Sequence, residues 1–73
     1  MARSRERFVK LAEKRVSRVI QDLRLIGNLS NKSNYEYSDE DVEKIISTLK
    51  NEVNKTQKRF ESVTSKKKDL FKL

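Results

Sequence analysis

The chain has 73 residues, of which 40% are charged and 34% hydrophobic, and its formal net charge is +7 at pH 7. It contains neither cysteine nor histidine, which excludes disulfides, thiolate chemistry and the usual zinc sites. A single glycine and no proline favour long, uninterrupted helices over a sheet with several turns. Because a chain of this length barely supports one core, we expect a single domain over residues 1–73.

The first predicted element is a helix over residues 4–26. Its apolar residues recur at alternating spacings of three and four, which is the period of one helical face. They are Val9, Ala12, Val16, Val19, Leu23 and Ile26. Gly27 and Asn28 follow directly, and glycine commonly ends a helix because it tolerates a left-handed backbone. We therefore predict a left-handed Gly27 at the end of this helix.

A second helix is predicted to begin directly after Ser38. Ser38 suits the N-cap position, and Asp41 three residues later completes a capping box, in which each side chain bonds the other residue's backbone N–H. Tyr37 and Val42 have the spacing of a hydrophobic staple. The acids at 39–41 place negative charge where the helix dipole favours it. These features together predict a helix start at residue 38 or 39.

The second helix is predicted over residues 39–65, followed by a basic tail over residues 66–73. Its apolar face contains Val42, Ile46, Leu49, Val53, Thr56, Phe60 and Val63. The expected fold class is all-α: an antiparallel, coiled-coil-like hairpin of two helices joined by the turn 27–38. A lone hairpin leaves Leu11 and Leu25 exposed to water. We therefore expect two hairpins to pair into a dimeric four-helix bundle, although a partner protein would supply the same cover.

The basic residues concentrate near both ends of the chain. Residues 1–18 contain seven basic and two acidic residues (+5), and residues 55–73 also contain seven and two (+5). Residues 39–54 contain five acids and two lysines (−3). An antiparallel hairpin would bring the two basic ends together, away from the acidic segment near the turn. The residues expected to bind nucleic acid there are Arg3, Arg5, Arg7, Lys10, Lys14, Lys66, Lys67 and Lys68.

These basic residues also have a second interpretation, as solvated helix faces with lysines favoured near a helix C-terminus. No sequence-reading motif accompanies them, so contact with nucleic acid, or with a nucleoprotein complex, is expected to be directed at the phosphate backbone.

The polar connection 28–37 has two interpretations. As a recognition loop it would bind a partner protein through Asn31, Lys32, Asn34, Tyr35 and Tyr37. As a structural connector, its Asn and Ser side chains would bond the turn backbone and its tyrosines would cover the end of the hairpin. The acids that follow lack the glycine and the ligand spacing of a calcium loop, so no metal site is expected.

Residues 24–46, RLIGNLSNKSNYEYSDEDVEKII, resemble a group of short, basic, largely uncharacterised proteins from bacteria, their phages and mobile elements. The shared features are a Gly-Asn that ends the first helix, an Asn-Tyr-x-Tyr turn and an acidic helix start. The resemblance covers about a third of the chain closely and the flanking helices loosely. It implies a bacterial or phage accessory protein and carries over no activity and no catalytic residue.

The functional prediction is a non-enzymatic protein without cofactors. With no His or Cys, only Lys, Tyr, Ser and carboxylates remain for catalysis, and none is visibly paired for it. No apolar run approaches about 18 residues and no apolar signal core follows the basic N-terminus, so we expect a cytoplasmic location and no membrane partner. The leading hypothesis is nucleic-acid binding through the basic chain ends. The alternative is a phage or mobile-element regulator or inhibitor that binds protein through the turn 28–37.

Overall fold

The computed structural model describes residues 4–69, with side chains over residues 4–63. Its regular elements are helix α1 (Arg5–Gly27), a 3-10 turn (Asn28–Ser30) and helix α2 (Asp39–Asp69). Over residues 4–69 the regular elements are all helical and no strand occurs, which confirms the predicted all-α class with two main helices. Antiparallel packing of the two helices stays a prediction. The chain divides into two units, Met1–Glu36 and Tyr37–Leu73, and each is built on one helix.

Helix α1 begins one residue later than predicted because Ser4 is its N-cap. Ser4 has an extended backbone, with φ −100° and ψ 102°, and its hydroxyl accepts a 3.0 Å hydrogen bond from the Arg7 N–H. This bond satisfies one of the amides that the first turn of a helix leaves unpaired. The Ser4 carbonyl also accepts a bond from the Phe8 N–H at 3.1 Å.

The prediction of a left-handed Gly27 is wrong. Gly27 keeps a right-handed helical backbone, with φ −59° and ψ −30°, and no residue of the described part of the chain has a positive φ. The chain tightens into the 3-10 turn instead. The Asn28 N–H is shared among the carbonyls of Arg24, Leu25 and Ile26. Shared bonds of this kind satisfy the last carbonyls of a helix without a left-handed residue.

A hydrogen-bonded turn at Asn31 follows the 3-10 segment. The Asn31 side-chain oxygen Oδ1 accepts a 2.9 Å bond from the Ser33 N–H. Its backbone carbonyl accepts bonds from the N–H groups of Asn34 (3.1 Å) and Tyr35 (3.0 Å). Asparagine often forms turns because its side chain bonds the backbone two residues further on. The Asn31 side chain is therefore engaged in the turn itself.

The predicted capping box at the start of α2 is confirmed. The Asp41 N–H donates to Ser38 Oγ at 3.1 Å, and the Ser38 N–H donates to Asp41 Oδ2 at 2.9 Å. The Val42 N–H donates to the Ser38 carbonyl at 3.3 Å. Two amides at the helix start are thus satisfied reciprocally, and the helix begins at Asp39 as expected. The Tyr37–Val42 staple stays a prediction: Tyr37 is half-buried and Val42 is exposed.

Helix α2 extends beyond its predicted end at residue 65. Its backbone stays helical through Lys66, Lys67 and Lys68 to Asp69. Lysine is a good helix former, and positive charge near a C-terminus interacts favourably with the helix dipole. Part of the predicted tail is therefore helix, and residues 70–73 lie outside the described residues.

No side chain among residues 4–63 is buried. The apolar faces have the predicted periodicity, but their members remain accessible: Val16 is 57% exposed, Val53 67% and Phe60 63%. A helix by itself shields only part of each of its side chains, so an apolar face becomes buried only against a neighbour. The four-helix bundle stays a prediction.

Candidate functional site

Helix α1 holds four basic side chains on one side. A residue turns about 100° around the helix axis, so spacings of three and four keep residues on the same side. The four residues with this spacing are Arg7, Lys10, Lys14 and Arg18, and all are exposed. Together they extend over about 16 Å of the helix axis at 1.5 Å per residue. We call these four residues the basic stripe.

The basic stripe has acidic residues beside it. Glu6 and Glu13 stand four and three residues from Lys10, and Asp22 stands four residues from Arg18, so each acid lies within one helical turn of a stripe residue. No stripe side chain forms an ion pair with another side chain of residues 4–63. The four side chains are therefore exposed cations with acids one turn away rather than in direct contact.

The apolar face of α1 lies on the side of the helix opposite the basic stripe. Val9, Val16 and Leu23 mark its centre, which is about 180° around the axis from Lys14 at 100° per residue. A neighbour that covered this centre would leave the stripe in solvent. Leu11 and Leu25 lie instead on the same side of the helix as the stripe.

The residues predicted to bind nucleic acid do not all share this side. Arg7, Lys10 and Lys14 belong to the basic stripe, whereas Arg5 lies towards the apolar face. The guanidinium carbon of Arg5 is 5.8 Å from the ring centroid of Phe8, within the range of a cation–π interaction.

The remaining basic residues of that prediction lie at the chain ends. Arg3 lies outside the described residues, and Lys66, Lys67 and Lys68 are described as helix backbone only. Arg18 completes the basic stripe and was missing from the predicted set. Its spacing of four from Lys14 is the sequence pattern that identifies it.

The basic residues of α2 are less uniformly arranged. Lys55 Nζ lies 3.5 Å from Glu52 Oε2, in an ion pair whose side chains are 63% and 65% exposed. An exposed pair of this kind contributes little to stability. Lys58 and Arg59 are exposed nearby. The described part of α2 therefore mixes both signs of charge, as α1 does.

Helix α2 accommodates Thr56 in its apolar face through a local bond. The Thr56 hydroxyl donates to the Glu52 carbonyl at 2.9 Å, and Thr48 does the same to Lys44 at 2.7 Å. The donor of each hydroxyl is thereby satisfied within the helix, so a threonine there does not require a polar partner outside it.

The residues of the alternative, protein-binding site differ in their surroundings. Asn31 and Asn34 are joined by the turn's hydrogen bonds, while Tyr35 is 48% exposed and Leu29 is 47% exposed. Lys32 is exposed, and Tyr37 is half-buried and belongs to the second unit. The connection thus presents one aromatic and one aliphatic side chain to solvent within the first unit.

The described residues contain neither a metal-binding cluster nor a membrane-spanning helix. No group of three or more His, Cys, Asp or Glu side chains there is placed to hold a metal ion. The acids at the start of α2 include Asp41, which is engaged in the capping box. None of the described helices combines the length and the apolar character needed to span a membrane.

Comparison with known proteins found no family model, no curated protein and no solved structure that matches the chain.

Proposed function

We propose that this chain is a non-enzymatic nucleic-acid-binding protein that contacts the phosphate backbone through its basic residues. The observation that carries the proposal is the group of exposed, unpaired basic side chains on α1, set in a chain of net charge +7. Lys and Arg bind phosphates by releasing condensed counterions, and this contribution does not require a sequence-reading motif.

The distribution of charge along the chain supports contact near its ends. Residues 1–18 and residues 55–73 each carry +5, while residues 39–54 carry −3. In the proposed functional form the two helices pair antiparallel, so that the two basic segments lie together and the acidic segment lies apart. The contact set of this proposal is Arg3, Arg5, Arg7, Lys10, Lys14, Lys66, Lys67 and Lys68.

The exposed apolar faces support assembly as part of the same proposal. Each large apolar side chain that becomes fully buried contributes about 1.5–3 kcal/mol, and both helices carry several that are more than 40% exposed. We propose that two hairpins pair through these faces into a four-helix bundle. A nucleoprotein complex that offers an apolar surface would cover them equally.

The biological setting of the proposal comes from the resemblance of residues 24–46. It is that of a cytoplasmic accessory protein of a bacterium, phage or mobile element, acting without a cofactor. A second candidate function, a regulator or inhibitor that binds protein through the turn 28–37, is supported by the exposure of Tyr35 and Leu29 in the connection.

A comparison of two substitution sets tests the function. The first set replaces Arg3, Arg5, Arg7, Lys66, Lys67 and Lys68 by Gln. The second set replaces Lys32 by Gln and Tyr35 by Ala. Affinity for a labelled duplex at fixed salt should fall at least tenfold for the first set and change less than about twofold for the second. If the second set abolishes cellular activity while the first is silent, the protein-binding function is correct instead.

A further inference from the structure

We propose that helix α2 pairs antiparallel with the α2 of a second copy of this chain, in the register that sets Glu52 opposite Arg59 of that copy. This inference rests on the self-association in the proposed function and deepens it, because it names the helices that meet, their direction and their register. It concerns α2 alone and does not depend on where α1 lies.

The apolar face of α2 has the pattern of a coiled-coil interface and is uncovered in the single chain. Over residues 46–63 its members recur at alternating spacings of three and four, so they lie on one side of about five helical turns. Val53 and Val63 are 67% and 69% exposed, and no member is buried. The members are Ile46, Leu49, Val53, Thr56, Phe60 and Val63. A face of this length requires a long apolar partner.

The charge distribution indicates that this partner is a second copy of α2. Residues 39–54 contain five acids and two basic residues (−3), whereas residues 55–69 contain six basic residues and two acids (+4). Residues 1–18 carry +5, and residues 19–38 contain two residues of each sign and carry 0. The basic half of α2 therefore finds a segment of net negative charge only in the acidic half of α2. A continuous helix cannot fold one half onto the other, so the complementary half belongs to another copy.

The same charges distinguish the two directions in which a pair of helices can run. In a parallel pair the two acidic halves would lie side by side, and so would the two basic halves, so both ends would be repulsive. In an antiparallel pair each acidic half lies along a basic half. The charges of α2 therefore favour the antiparallel pair.

Two antiparallel registers would fill six layers of the apolar face. One register places Val42 opposite Phe60 of the second copy, and the other, shifted by one heptad, places Leu49 opposite Phe60. Thr56 lies opposite an aliphatic residue in both. Its hydroxyl donates to the Glu52 carbonyl at 2.9 Å, so it needs no polar partner in the other helix. Apolar packing therefore accepts either register.

The charged residues that border the apolar face distinguish the registers. The first would set Glu52 against Glu52 of the second copy and Lys50 against Lys50, and both pairs repel. The shifted register sets Glu52 opposite Arg59 of the second copy, twice in each dimer by symmetry, and Lys50 opposite the neutral Gln57. Within its own helix Glu52 contacts Lys55 at 3.5 Å, but an exposed pair of this kind contributes little and leaves the carboxylate able to meet Arg59.

The test reverses these charges in the full chain. Arg59→Glu makes both bordering pairs negative, and Glu52→Arg makes both positive. Lys58→Glu and Glu61→Arg are the matched controls, since they change the net charge by the same amounts at positions that do not border the apolar face. Sedimentation equilibrium at low salt measures the dissociation constant of each dimer, and circular dichroism checks that each variant retains its helices.

Each of Arg59→Glu and Glu52→Arg should weaken the dimer about tenfold, because two attractive pairs become repulsive at once, and each control should weaken it less than about twofold. An equimolar mixture of Arg59→Glu and Glu52→Arg should recover the dimer. In the mixed dimer one copy is positive at both positions and the other is negative at both, so both pairs attract again. No change within one helix can produce this recovery.

Equal weakening by the controls, or a dimer that no exchange affects, would overturn the α2 pairing and assign the dimer to other surfaces. A tighter dimer between Glu52→Arg and the unmodified chain than between unmodified chains would overturn the register, since it requires Glu52 to face Glu52. A monomer at every concentration would overturn the pairing and self-association together. Anisotropy of a fluorescein-labelled DNA duplex with the unmodified chain tests nucleic-acid binding separately, so failure of the proposed contact with phosphates is distinguished from failure of the pairing.

Discussion

At the scale of single residues, the start of α2 depends on two reciprocal bonds between Ser38 and Asp41. Each bond provides an acceptor for a backbone N–H that would otherwise bond only to water. Both residues are exposed, so their bonds stabilise the first turn of α2 and do not contribute to core packing.

We predict that Ser38→Ala destabilises the start of α2 by about 0.5–2 kcal/mol, the usual cost of losing an N-cap. Asp41→Ala removes the return bond, and the double variant should lose less than the sum because the two residues form one unit. The measurement is the helical Cα chemical shift of residues 39–45. Ser47→Ala is the control, since its hydroxyl bonds the Lys44 carbonyl at 3.3 Å inside the helix and alanine is a better helix former. Unchanged shifts in Ser38→Ala would contradict this role for the cap.

Gly27→Ala is predicted to stabilise α1, by about 0.4–1 kcal/mol. Gly27 has a right-handed helical backbone, and an added Cβ would meet nothing within 4 Å. Thermal unfolding followed by circular dichroism measures the effect. A loss of stability would mean that Gly27 adopts the left-handed backbone expected of a helix-ending glycine.

At the scale of helices, α1 places the centre of its apolar face and its basic stripe on opposite sides of the helix axis. The apolar face has the helical period of a buried stripe, and the basic stripe has the same period about 180° away. Substitutions on the two sides should therefore act on different properties of the protein.

Lys14→Glu is predicted to change helix stability and nucleic-acid affinity in opposite directions. The new carboxylate stands four residues from both Lys10 and Arg18, so two repulsive pairs become attractive pairs worth about 0.2–0.5 kcal/mol each. Helicity at low salt should rise, while affinity for a duplex should fall at least tenfold. A parallel fall in both properties would show that Lys14 supports the helix rather than a ligand.

The helices could be predicted from the sequence because their determinants are local. The spacing of Ser38 and Asp41 specifies a capping box from four consecutive positions, and the apolar period specifies each helical face. The backbone conformation of Gly27 could not be predicted in this way, since glycine adopts both right-handed helical and left-handed backbones at similar cost.

The candidate site was predicted only in part. Counting charges along the sequence identified Arg7, Lys10 and Lys14 as candidate contacts but grouped them with Arg5. The structure places the Arg5 guanidinium over the ring of Phe8. Counting by helical face adds Arg18 and separates Arg5, because spacing around the axis decides which charges one ligand can reach at once.

At the scale of the whole molecule, the exposed apolar faces predict self-association. Val16, on the apolar face of α1, is 57% exposed in the single chain. If a second copy covers this face, Val16→Gln should weaken the dimer by about tenfold or more, from the loss of about 1.5–3 kcal/mol of apolar burial. Ser17→Gln, one position further around the helix, should leave it unchanged. Sedimentation equilibrium measures both, and a monomer at every concentration would assign the apolar face to a different partner.

The central claim is that the chain binds the phosphate backbone of nucleic acid, and the salt dependence of the unmodified protein tests it most directly. Affinity for a mixed-sequence duplex is measured between about 50 and 200 mM salt. Four contacts at about 0.9 each predict a slope of log affinity against log salt of about −3.6 or steeper, with little change when the sequence is scrambled. A slope near zero, or no binding at the lowest salt, would contradict the claim.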